Sequence, residues 1–218
     1  MALCSDGYRR SDAGGTIGAM SITFSHHLAE HRALFALLDA LAPQIDQAST
    51  LLSDCLRRGG KLMFCGNGGS AADSQHLASE FTGRFVNERR PLAAMALCTD
   101  SSQLSSIGND YGFDQVFERP LRGLGQPGDV LVAISTSGQS VNVQRAVQAA
   151  RQIGISVVGL LGRDGGVIAS ACDVPIIVPH QVTARIQEAH IFIGHVLCAA
   201  VEAALLGFEA DLATRLTG

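Results

Sequence analysis

Five short apolar runs, each closed by turn residues and separated from the next by helical periodicity, constrain this chain more than any other feature. They lie at 61–65, 92–97, 130–134, 156–161 and 174–178. The runs are nearly continuous in apolar residues rather than alternating, which is the pattern of strands buried on both faces. Helical stretches are expected between them at 71–85, in parts of 101–124, at 141–153 and briefly near 167–171. A long closing helix is expected from about 183 to 206. Strands alternating with helices give a parallel sheet with helices on both faces. The expected fold is therefore α/β, a three-layer sandwich around a central five-stranded parallel sheet. The segment 25–58 reads as an N-terminal helical pair, with Ser25 capping the first helix and Pro43 opening the second.

A length of 218 residues suits one such domain and leaves too little for two. Residues 25–218 are read as that single domain, and 1–24, polar and rich in glycine, as a flexible arm without the apolar stretch of a signal peptide. No window is read as a membrane span, so no membrane association is expected. The net charge of −4, with no basic cluster, argues against nucleic-acid binding, which relies on Lys and Arg meeting phosphates. Six cysteines at 4, 55, 65, 98, 172 and 198 form no CxxC pair and sit mostly in apolar runs, consistent with a reducing cytoplasm.

Ligands of such sheets bind at the carboxyl ends of the strands, so the loops there carry the chemistry. The loop after the first run is Gly66-Asn67-Gly68-Gly69-Ser70, leading straight into a helix. Glycines let backbone N–H groups approach a ligand, and the helix N-terminus favours an anion or polar oxygens. Gly66, Gly68 and Ala71 match the spacing of a dinucleotide fingerprint. That fingerprint expects an acid about 20 residues on, and Asp100 stands too far along. The loop after the third run, Ser135-Thr136-Ser137-Gly138-Gln139-Ser140, carries four hydroxyls. One would suffice to cap the following helix; four favour a phosphate site built without lysine. His76 and Glu80, four apart on the helix after the first loop, share one face, as a metal pair or an acid–base pair would. The closing helix carries Gln187, Glu188, His190 and His195 among apolar residues, where a histidine is usually a satisfied core group. Spacing alone does not pair Gln187 with His195.

The segments CGNGGSAADSQH (65–76), SEFTGRF (79–85), GNDYGF (108–113), ISTSGQS (134–140) and RIQEAHIFIGH (185–195) together resemble the phosphoheptose isomerase family of SIS (sugar isomerase) domains. The resemblance implies substrate contacts at Asn67, Gly68, Gly69, Ser70, Glu80, Asn109, Asp110, Ser135, Thr136, Ser137, Ser140 and Gln187. It implies one zinc ion per subunit held by His76, Glu80, Gln187 and His195, with Glu80 and His195 as the catalytic pair. It also implies a cytoplasmic homotetramer with active sites between subunits, and a sugar phosphate, sedoheptulose 7-phosphate, as the substrate entering heptose biosynthesis for lipopolysaccharide or another product. Two alternatives stay open on the residues alone. One is a non-catalytic relative of the kind that associates with a replication initiator, whose members lack the glutamate matched by Glu80. The other is an isomerase of a different sugar phosphate.

Overall fold

The computed structural model describes residues 23–217, with side chains as far as Gly207. The arm expected at 1–24 thus lies almost wholly outside the described residues. Two helices, α1 (Phe24–Phe35) and α2 (Ala42–Arg57), precede the sheet, joined by a 3-10 turn at Leu38–Leu41. Thr23, rather than Ser25, caps α1: its extended backbone lets the side chain accept from the His26 N–H. Pro43 stands in the first turn of α2, where its missing N–H costs nothing.

Five parallel strands follow: β1 (Leu62–Cys65), β2 (Ala94–Ala96), β3 (Val130–Ser135), β4 (Ser156–Gly162) and β5 (Val174–Val178), in the order β2-β1-β3-β4-β5. β1 and β3 are buried along their whole length, as their unbroken apolar sequence requires. β2, an edge strand paired with β1, is shorter than the expected 92–97. Its ladder still extends through Leu62 N–H to Ala93 O and Leu97 N–H to Phe64 O, each at 2.9 Å.

The connecting helices are α3 (Gly69–Thr82), α4 (Ser101–Asp110), α5 (Glu118–Leu124), α6 (Val141–Ile153) and α7 (Gly166–Ala169). α3 packs with α8, while α5 and α7 pack with α6, the two-sided arrangement that right-handed crossovers give for this strand order. The closing helix α8 (Thr183–Thr217) packs beside α2 and α3 and against β4 and β5. It runs past the expected end near Leu206, since one glycine, Gly207, costs a helix only about 1 kcal/mol.

The absence of a membrane-length segment does not hold by length and composition. Thr183–Gly207 is long and apolar enough to span a bilayer, and half of its most apolar window is buried in the protein. Ile186, Ala189, Ile193, Leu197 and Val201 lie in the core, which accounts for their apolarity without a membrane.

The chain leaves β1 toward β2 on one side, then returns to place β3 on the other. The carboxyl ends of β1 and β3 therefore flank the point where the winding reverses, the crevice in which such sheets bind ligands. The first loop and the hydroxyl loop meet there.

Candidate active site

α3 opens directly from the first loop. Gly68 turns the chain with φ 56° and ψ −121°, a conformation open to glycine alone. Ser70 is buried, its backbone carbonyl and Cβ packed against Gly66. Gly69 is the contact point for α8: a Cβ there would overlap the side-chain amide of Gln187. Gln187 and the first loop are thereby brought together, a pairing that helical spacing on α8 could not reveal.

The hydroxyl loop is organised by its own side chains. Ser135 Oγ lies 3.1 Å from Ser140 Oγ and accepts from the Gly138 N–H at 3.1 Å. Ser137 Oγ accepts from the Gln139 N–H at 3.2 Å. Ser140 occupies the N-cap of α6 yet makes no side-chain cap bond. Simple helix capping thus leaves these hydroxyls unexplained. The loop lies at the N-terminus of α6, where the helix dipole favours an anion.

His76, Glu80 and His195 form the second centre. His76 Nε2 lies 2.9 Å from His195 Nε2 and 3.4 Å from Glu80 Oε1. One ligand atom from each falls within 4.8 Å of the others. Two imidazole nitrogens and a carboxylate oxygen are a donor set that suits zinc. The cluster depends on a close helix crossing. A methyl at Gly194 would come within 2.6 Å of Leu77, so α8 reaches α3 only because residue 194 is glycine. The Phe85 ring packs 5.5 Å from the His195 ring and closes one side.

His190, by contrast, is a core histidine. It is fully buried, and burial pulls its pKa down to about 4. The neutral ring donates from Nε2 to the Leu161 carbonyl at 3.1 Å. Glu188 pairs with His31 at 2.8 Å and Arg185 at 2.6 Å, and so fastens α1 to α8.

Asn109 and Asp110 end α4, exposed and hydrogen-bonded to each other at 2.8 Å. The structure does not join them to either loop. The next segment does approach: Phe113 and Asp114 line a cleft of about 310 Å³ with Asn67, Ser140, Val141 and Asn142.

Three groups at the site escaped sequence reasoning. Asp73 lies one turn before His76, with Oδ2 buried and without a hydrogen-bond partner. Burial pushes its pKa up, against the opposing influence of His76 and His195. Its position three residues before His76 was the available signal. Asn142 pairs with Asn67 across the crevice. Glu202, buried on α8, accepts from the N–H groups of Phe85, Val86 and Asn87 and pairs with Arg89 at 3.1 Å. Arg89 in turn donates to the carbonyls of Glu80, Phe81 and Gly83, which ends α3 before the expected Phe85.

The SIS domain family model matches residues 26–162. The chain is 55% identical over 171 residues to the phosphoheptose isomerase of Rhodospirillum rubrum, covering 78% of this chain and 91% of the relative. It is 54% identical over 187 residues to that of Thiobacillus denitrificans, covering 84% and 95%. Among solved structures, the phosphoheptose isomerase GmhA of Neisseria gonorrhoeae superposes with a TM-score of 0.78 at 49% identity, covering 82% of this chain and 96% of that one.

Proposed function

The chain belongs to the phosphoheptose isomerase family of SIS domains, and from that premise we propose that it converts D-sedoheptulose 7-phosphate to D-glycero-D-manno-heptose 7-phosphate through an enediolate. The observation that carries this reading is the meeting of His76, Glu80 and His195 where α8 crosses α3, in a chain about half identical to phosphoheptose isomerases over some four-fifths of its length. The presence of Glu80 within that cluster favours an enzyme over a regulatory relative lacking the acid.

Ser135, Thr136, Ser137, Ser140 and the N–H groups opening α6 hold the phosphate. Asn67, Gly68, Gly69, Ser70, Asn109, Asp110 and Gln187 contact the sugar, Ser70 through its backbone. The Glu80 carboxylate takes the proton from C1, and the electron pair left behind forms the C1–C2 double bond. His195 donates a proton to the oxygen at C2. It then accepts one from the hydroxyl at C1 as the new aldehyde forms, and Glu80 returns its proton to C2. Each acid–base step of this kind contributes on the order of 10²–10⁴ in rate. His76, Glu80, Gln187 and His195 would hold zinc, whose Lewis acidity polarises the sugar carbonyl and stabilises negative charge on its oxygen.

The proposal extends to a cytoplasmic homotetramer with sites shared between subunits, acting at the entry to nucleotide-activated heptose synthesis for lipopolysaccharide. Exposed apolar residues support burial against other copies: Phe24 is 80% exposed, Val86 64% and Phe192 45%. Side-by-side assays of pentulose, hexulose and heptulose phosphates test the substrate assignment. The heptulose 7-phosphate is expected to give the highest kcat/KM by at least about tenfold, which is roughly 1.4 kcal/mol of discrimination. Equal rates on all three would overturn it.

A further inference from the structure

Asn142 occupies the first turn of α6 and is 5% exposed. Its Oδ1 accepts from the Val143 N–H at 2.9 Å. Only an oxygen can accept that bond, so the orientation of the amide is settled. The same Oδ1 accepts from Asn67 Nδ2 at 2.9 Å, and Asn142 Nδ2 donates to Asn67 Oδ1 at 2.8 Å. The two amides thus face each other through a pair of parallel hydrogen bonds. Among the described residues, these are the hydrogen bonds that join the first loop to the segment following the hydroxyl loop.

Asn67 is left with one N–H and one carbonyl lone pair to offer a ligand. Its direction is set by Asn142, because a doubly bonded amide cannot rotate without breaking both bonds. The pair also ties together the two loops that the isomerase reading assigns to the sugar and to the phosphate. The first loop runs straight into α3, which carries Glu80, and Asn142 stands two residues after Ser140 of the hydroxyl loop.

We propose that Asn142 is a positioning residue that acts through Asn67 to fix the span between the phosphate loop and the proton-transferring end of the site. It thereby sets the length of sugar phosphate that reacts. This rests on the isomerase reading of the same site. A lock of this kind acts on where the sugar lies and leaves the phosphate contacts themselves intact.

The test compares Asn142→Ala, Asn67→Ala and the double variant. Dissociation constants for sedoheptulose 7-phosphate and for inorganic phosphate are measured by calorimetry in a Glu80→Gln background, where turnover does not interfere. Asn142→Ala is expected to weaken sugar-phosphate binding about tenfold, the scale of losing one or two buried hydrogen bonds. Inorganic phosphate should change by less than about twofold, and the double variant should bind no more weakly than Asn67→Ala alone. With Glu80 restored, the preference for the heptulose over the hexulose phosphate should narrow by a similar factor.

A merely structural role would weaken inorganic phosphate as much as the sugar phosphate, and would add to the effect of Asn67→Ala; either result overturns the proposal. Unchanged sugar-phosphate binding overturns it too. Asn142→Asp keeps the Val143 bond and carries the same comparison if the alanine variant does not fold. A wild-type protein that binds the sugar phosphate without turning it over would sink the isomerase reading, while the binding comparison would still decide the role of Asn142.

Discussion

Glu80→Gln is expected to lower turnover of sedoheptulose 7-phosphate by about 10³-fold or more while leaving the fold intact. The amide has nearly the shape of the carboxylate but cannot accept a proton from carbon. The same side chain must later return that proton, so both halves of the reaction fail together. Stability should change little, because among the described residues the carboxylate, 20% exposed, pairs with His76, 47% exposed, at 3.4 Å. Steady-state rates beside thermal melting separate the two effects. A variant that keeps more than about a tenth of wild-type activity would show that another group moves the proton, since loss of a general base ordinarily costs at least 10²-fold.

Glu202→Gln is expected to give the largest loss of stability, about 3–5 kcal/mol. Glu202 and Arg89 are a buried ion pair, with side chains 2% and 3% exposed. Glu202 Oε2 alone accepts from Val86 N, Asn87 N and Asn87 Nδ2. Replacing one oxygen by an amide sets donor against donor and leaves the Arg89 guanidinium in a dry site without its counter-charge. For a domain of this size the melting point should fall by about 10 °C at fixed protein concentration.

The loss should carry a pH signature as well. Burial alone would raise the pKa of Glu202, but the N–H groups of Asn87, Val86 and Phe85 outweigh it and leave the value below the ordinary range. A carboxyl depressed on folding contributes fully above its unfolded pKa and loses that contribution as pH falls through its folded pKa. Wild-type stability should therefore decline in acid below the usual glutamate range, and Glu202→Gln should lack that part of the decline. A melting point within about 2 °C of wild type would show that the buried pair is dispensable. The clamp also matters to the site, since the segment it holds carries Phe85 against His195 and Arg89 caps the helix that ends just beyond Glu80.

Much of this architecture was legible because parallel strands write their burial on both faces directly into sequence. The runs at 61–65 and 130–134 became β1 and β3 almost residue for residue. The second run overreached: only Ala94–Ala96 of it pairs as a strand. The loops were legible for a related reason: glycines and hydroxyls at the ends of buried strands have little structural purpose of their own.

What could not be read were relations between distant segments. The approach of His195 to His76 depends on Gly194 meeting Leu77, a fact of helix crossing rather than of spacing. The Asn67 and Asn142 pair and the Glu202 clamp join residues far apart in the chain through buried polar bonds that leave no periodic trace. The apolar length of α8 has two physical readings, core helix or membrane span, and packing against α2 and α3 separates them.

The most direct test of the central claim is to incubate the purified chain with sedoheptulose 7-phosphate and follow the sugar by NMR, with and without chelator and added zinc. The account predicts that heptose 7-phosphate appears with the wild-type protein, falls with chelator, as a zinc ion held by His76, Glu80, Gln187 and His195 would require, and returns with zinc. A folded protein that forms no heptose 7-phosphate under any metal condition would contradict it.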